Sequence, residues 1–185
     1  MPPNSTSRVA LEYEPEAELG KAFRTDLNIW VNNKKMRMKE LAYLSPITTL
    51  LQFLRAIGLT GTKLGCAEGG CGACTAIVSR ATTSGKVEHR SVNACLFPAA
   101  SADGCNVTTV EGLGSTREGL HPVQERMTKS HGSQCGFCSP GIVVAISTIF
   151  ENNPDATIDD VEEHMDGNIC RCTGYRPIWD SAKVG

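Results

Sequence analysis

Few aromatic residues, no long apolar run and no excess of either charge: these shortages already narrow what the sequence can do. Phe, Trp and Tyr together make up 5% of the 185 residues. Eighteen Lys and Arg stand against twenty Asp and Glu, for a net charge of −2. That near-balance argues against a protein whose main work is gripping nucleic acid or anionic membrane by charge. The longest apolar stretch, 142–150, is interrupted by Ser147 and Thr148. It is about half the length that crosses a bilayer, so no membrane partner is expected. Residues 1–20 lack the basic-then-apolar run of a secretory signal. A cytoplasmic, reducing location is therefore expected, where structural disulfides are rare.

What the chain does have is cysteine, nine in all, at 66, 71, 74, 95, 105, 135, 138, 170 and 172. Eight fall into two groups of four. Cys66-x4-Cys71-x2-Cys74, closed by Cys95 after twenty intervening residues, has the spacing of a plant-type [2Fe–2S] site. Two sulfide-bridged irons need four thiolates at one place. A tight loop supplies three of them and a neighbouring segment the fourth. Gly65, Gly69, Gly70 and Gly72 leave backbone amides room to approach the sulfurs. Zinc also accepts four cysteines, but its sites favour paired Cys-x2-Cys units, and only Cys71 and Cys74 form one here. The second group, Cys135-x2-Cys138 and, after 31 residues, Cys170-x-Cys172, fits zinc, a redox dithiol or a cluster when read alone.

The chain around them divides in two. Residues 1–25 read as a flexible leader, Pro- and Ser-rich and then glutamate-rich. Leu27, Ile29 and Val31 alternate up to Asn32-Asn33, and Met36 and Met38 alternate after it, which predicts a β-hairpin. Ser45-Pro46 opens a helix with Ile47, Leu50, Leu51, Leu54 and Ile57 on one face, stopped by Gly58. Strands are expected at 75–79, 86–92 and 106–110, with a turn at 82–85. The second half is helical: a short helix from Pro122, a long one from Ser139-Pro140 to Asn152, and one capped by Thr157 with Asp160. The boundary falls within 111–119, where Gly112, Gly114 and Gly119 interrupt any pattern.

Four segments, in order, carry a resemblance: Gly65-Cys66-Ala67-Glu68-Gly69-Gly70-Cys71-Gly72-Ala73-Cys74, Val92-Asn93-Ala94-Cys95, Gln134-Cys135-Gly136-Phe137-Cys138, and Gly167-Asn168-Ile169-Cys170-Arg171-Cys172-Thr173-Gly174-Tyr175-Arg176-Pro177. Together they resemble the N-terminal iron–sulfur region of the molybdenum hydroxylases. Residues 121–126 and 129–134 lean toward the xanthine dehydrogenase type rather than the aldehyde oxidases. The resemblance implies an α+β chain. A β-grasp [2Fe–2S] ferredoxin domain over 26–111 would be followed by an all-α four-helix domain over 112–185 with a second [2Fe–2S] cluster. It implies Cys66, Cys71, Cys74 and Cys95 as ligands of one cluster, and Cys135, Cys138, Cys170 and Cys172 as ligands of the other. Gln134 matches the position that contacts the molybdopterin, and Cys172 the ligand nearest to it. Electrons would run from molybdenum through the helical-domain cluster and then the plant-type cluster to FAD and NAD. FAD and molybdenum domains would lie further along a longer chain or on partner subunits, with the full enzyme a homodimer. Substrate oxidation would occur on those domains, so no catalytic residue is expected here. The alternative of a different class is a cysteine-rich zinc-binding interaction domain.

The remaining features read as structural. His89, His121, His131 and His164 have no ligand spacing, and Cys105 has no partner group. Trp30 and Trp179 suit packing. Lys34, Lys35, Arg37 and Lys39 suit a solvated strand face. Gly61-Thr62-Lys63 lacks the upstream glycine of a phosphate-binding loop.

Overall fold

In the computed structural model, residues 27–36 and 45–183 are described. The leader expected over 1–25, together with Arg37, Met38 and Lys39, lies outside them. The hairpin forms as β1 (Ile29–Val31) and β2 (Lys34–Lys35). Asn32 and Asn33 both have positive φ, 50° and 64°, the backbone of a tight turn whose twist matches the strands it joins. A five-stranded mixed sheet is completed by β3 (Thr75–Ala81), β4 (Val87–Asn93) and β5 (Cys105–Thr108) in the order β2-β1-β5-β3-β4. β5 runs parallel to β1 and antiparallel to β3.

Helix α1 (Leu50–Ala56) starts three residues after Ile47, the first apolar residue of its expected face. Thr49 is the reason. Its hydroxyl accepts the Gln52 amide at 3.2 Å while the Gln52 side chain accepts the Thr49 amide at 2.9 Å, a capping box that fixes the first turn. Ile47, expected on the buried face, is left 87% exposed. From α1, Leu50, Leu51, Phe53 and Leu54 pack with Ile29, Val31, Ala76, Val78 and Val107 into one core.

The last expected strand ends early, at Thr108. Val110, placed at the end of a strand by its sequence, starts a short helix, α2 (Val110–Leu113). Then come α3 (Pro122–Lys129), α4 (Ser139–Asn152), α5 (Ile158–His164) and α6 (Arg176–Ala182). α5 begins at its Thr157 cap, and α6 carried no periodic signal. A second core gathers Val123, Met127, Ile142, Val143, Ile146, Val161, Met165 and Ile178.

The two halves share a wall. α4 packs on β3 and β4, so β3 is buried along Thr75–Ser79 on both faces rather than on one. Ser147 and Thr148 tolerate burial in α4 because their hydroxyls donate to the carbonyls of Val143 at 2.7 Å and Val144 at 2.8 Å. At the end of α4 the Asn152 side chain behaves like a short strand. It donates to the carbonyl of His89 at 2.7 Å and accepts its amide at 3.3 Å, covering part of the edge strand β4.

Candidate iron–sulfur centres

The loop between α1 and β3 wraps Cys66. Positive φ at Ala67 (60°), Gly69 (80°) and Gly72 (68°) coils the backbone. The amides of Glu68 and Gly70 thereby reach the Cys66 sulfur at 3.5 and 3.3 Å. Those contacts, the Glu68 amide foremost and the Cys71 thiol next, hold the Cys66 thiol down at about 7. Amide donors aimed at sulfur are what a thiolate ligand requires. Cys71 comes so near Gly65 that a Cβ there would lie 2.6 Å from its sulfur.

Cys74 enters β3 and Cys95 follows β4, so the antiparallel pairing that ends at Thr75 opposite Asn93 brings them together. Their thiols, both free, lie close enough to act on each other's ionisation. Burial, then the Cys95 thiol, raises Cys74 to about 11 against the pull of the Cys95 amide. Asn93 closes the loop by donating its side-chain amide to the Gly69 carbonyl at 3.0 Å. Cys66 is influenced by Cys71, and Cys74 by both Cys95 and Cys71, so the first group stands together as neighbouring free thiols.

The second group assembles from two helix ends. Cys135 and Cys138 lead into α4, and Cys170 and Cys172 lie between α5 and α6. Here too the free thiols act on one another: Cys172 and Cys170 on Cys135, and Cys170 and Cys135 on Cys138. The Phe137 amide, and then the neighbouring Cys172 thiol, lower Cys135, while the proximity of Cys135 raises Cys172. Burial pushes Cys138 up to about 12. Burial also acts to raise Cys170, but the Thr173 hydroxyl, 3.1 Å from its sulfur, and the amides of Thr173 and Cys172 bring it down on balance. Tyr175, at φ 70°, accepts the Cys170 amide on its hydroxyl at 3.0 Å and stacks on Trp179.

Among the described residues, no three Cys, His, Asp or Glu side chains converge as they would around one ion. The donor sets fit a binuclear cluster, which asks for two thiolates on each of two irons. Cys105 belongs to neither group; it is buried in the sheet core. Gln134 is exposed beside Cys135.

The two groups touch. The Cys71 carbonyl accepts the Ile169 amide at 3.0 Å. Asn168, spelled out in the fourth segment but given no role by its sequence, donates its side-chain amide to the Gly72 carbonyl at 3.1 Å and to the Thr75 hydroxyl at 3.4 Å. Gly141 of α4 lies against the same carbonyl. A small polar residue two positions before a ligand pair was the only sequence signal for this seam. Leu64, Leu96, Phe137 and Ile169 stay exposed around it.

Two family models match: a 2Fe-2S iron-sulfur cluster binding domain over residues 42–100, and a [2Fe-2S] binding domain over 109–183. These set aside the zinc reading. A xanthine dehydrogenase/oxidase of Felis catus is 56% identical over 155 residues, 83% of this chain and 11% of its own length. Aldehyde oxidase 4 of Cavia porcellus is 54% identical over 161 residues, 86% of this chain and 12% of its own. This chain thus spans only 11–12% of those curated relatives. Quinoline 2-oxidoreductase from Pseudomonas putida 86 superposes with a TM-score of 0.71 at 37% identity, over 84% of this chain and 88% of that one. The aldehyde oxidoreductase of Desulfovibrio gigas gives 0.74 at 36% identity, over 84% of this chain and 16% of that one. With both family models matched and likeness at this level over most of its length, the chain belongs to the molybdenum hydroxylase family, as its two-[2Fe–2S] region.

Proposed function

We propose that the chain carries electrons, one at a time, between a molybdenum cofactor and FAD in an oxidoreductase most like the xanthine dehydrogenases. The observation that carries this is the gathering of eight free thiols into two groups of four from segments distant in sequence, with the groups joined by the Ile169 amide on the Cys71 carbonyl. Cys135, Cys138, Cys170 and Cys172 would hold the cluster on the molybdenum side, and Cys66, Cys71, Cys74 and Cys95 the cluster on the FAD side. Each bound cluster supplies a one-electron carrier. The protein's part is to present the thiolates, to aim the amides of Glu68, Gly70 and Phe137 at sulfur, and to bury Cys74 and Cys170 from water.

Residues 26–111 would be a β-grasp ferredoxin domain, a reading supported by the mixed sheet crossed by α1. Residues 112–185 would be a four-helix domain built on α3 to α6. Gln134 would contact the molybdopterin, since its exposed amide can both donate and accept. FAD and molybdenum domains would sit on the same longer chain or on partner subunits of a cytoplasmic, homodimeric enzyme that passes electrons on to NAD. No described helix is long and apolar enough to cross a membrane. The aldehyde oxidases offer a second reading of the parent enzyme, favoured by 54% identity to one of them.

Iron and acid-labile sulfide analysis tests the core of this reading. About four irons and four sulfides per chain are expected for two such clusters. Stoichiometric zinc with no sulfide would overturn it.

A further inference from the structure

We propose that Asn168 is a positioning residue that couples the two cysteine sites, so that loading either one favours loading the other. The inference rests on reading the eight thiols as [2Fe–2S] ligands.

The segment 167–172 has little of its own to hold it. Its backbone bonds are Asn168 to the Met165 carbonyl at 2.9 Å, Ile169 to the Cys71 carbonyl at 3.0 Å, and Cys170 to the Tyr175 hydroxyl at 3.0 Å. Asn168, only 7% exposed, adds its side-chain bonds to Gly72 and Thr75. Much of what orders the approach to Cys170 and Cys172 therefore belongs to the turn that carries Cys71 and Cys74.

That turn is built to receive it. The Gly72 carbonyl already accepts the Thr75 amide at 3.2 Å and the Thr75 hydroxyl at 2.7 Å. Gly72 has φ +68°, and a Cβ on it would meet the Gly167 carbonyl and come within 2.5 Å of the Asn168 amide nitrogen. From the other side, a Cβ on Gly141 would strike the Gly72 carbonyl. The Gly72 carbonyl is thus held between the start of α4, which follows Cys138, and the segment that precedes Cys170.

Cluster binding orders the loops that supply its ligands. Ordering Cys71 and Gly72 presents their carbonyls, already aimed, to Ile169 and Asn168. The second site then loses less conformational freedom when it fills. Linkage makes the effect reciprocal.

The test is a double-mutant cycle on cluster-loaded protein. Chelator-driven iron loss from the plant-type site is followed by its paramagnetic signal. Vacating the other site with Cys138→Ser should speed that loss about fivefold or more. In an Asn168→Ala background the same Cys138→Ser change should add about twofold or less, the scatter of non-interacting sites. Asn168→Asp keeps the shape without the donor and should behave as the alanine variant does. Equal acceleration with and without the Asn168 amide, or none at all, would overturn the proposal, as would an aspartate variant that behaves like asparagine. Should Asn168→Ala fail to fold, hydrogen exchange over residues 166–172 decides the matter in protein with Asn168 intact. There the segment should exchange about fivefold faster when Cys95→Ser empties the plant-type site; unchanged exchange would overturn the coupling. Protein that takes up no iron would defeat the cluster reading and the inference together. Two loaded but independent clusters would defeat the inference alone.

Discussion

The carbonyl of Cys71 accepts the backbone amide of Ile169 at 3.0 Å. One bonded contact therefore separates a residue of the first thiol group from the immediate neighbour of Cys170 in the second. Two sites that share no ligand still share a backbone junction, and the behaviour of each should register the state of the other.

Cys138→Ser should abolish the helical-half cluster and keep the plant-type one, because the two ligand sets have no residue in common. Paramagnetic resonance on dithionite-reduced protein should show one of two signals. Loss of both signals from soluble, folded protein would contradict separate sites.

Gly141→Ala places a methyl group against the Gly72 carbonyl, in a contact made by two rigid backbones. Overpacking of this kind costs about 1–3 kcal/mol. Each kcal/mol should lower the melting temperature by about 2–4 °C in a chain of this size. Calorimetry that shows no change would mean that α4 can slide on β3.

His121 sets a pH dependence. Burial lowers its pKa from the ordinary 6.5, with the charge of Glu151 opposing. Its Nδ1 accepts the Val123 amide at 3.3 Å and faces the Ser147 hydroxyl at 3.5 Å. Between its lowered native value and 6.5 the unfolded chain binds the proton and the folded chain does not. Stability is thus full above about 6.5 and falls as pH drops below it. Denaturant midpoints measured from pH 8 to 5 should show this decline, and His121→Asn, which keeps a capping acceptor, should flatten it.

Stripping the clusters should loosen the segment between α5 and α6 before it loosens the sheet, since that segment leans on metal-ordered neighbours. Limited proteolysis should then cut apo-protein first near residues 166–175. Identical digestion of apo and loaded protein would count against the idea.

Gln134→Ala should leave both clusters intact in the complete enzyme while slowing substrate-driven cluster reduction or reducing cofactor content. Reduction by dithionite, which bypasses molybdenum, should be unchanged. A disturbed helical-half spectrum in the 185-residue chain, with normal cofactor content and turnover in the whole enzyme, would instead make Gln134 a local structural residue.

What the amino-acid order determined by itself was the chemistry and the local geometry. Thiol spacing marks the plant-type site, because a tight loop limits how far apart ligands can lie, while the second group took its reading from the resemblance. Asn32-Asn33, Pro122, Pro140 and Thr157 with Asp160 mark element ends, because turns and caps are satisfied within a few residues. Ile47 misled the start of α1, since periodicity reports which residues share a face but not where a cap fixes the first turn. Tertiary structure decided which distant cysteines become neighbours, because Cys74 and Cys95 meet only through the register of β3 against β4. It also decided that the halves meet at Gly72, Gly141 and Asn168. Those contacts span 96 residues of sequence between Gly72 and Asn168, and bonds between a carbonyl and an amide that far apart leave no local pattern to read.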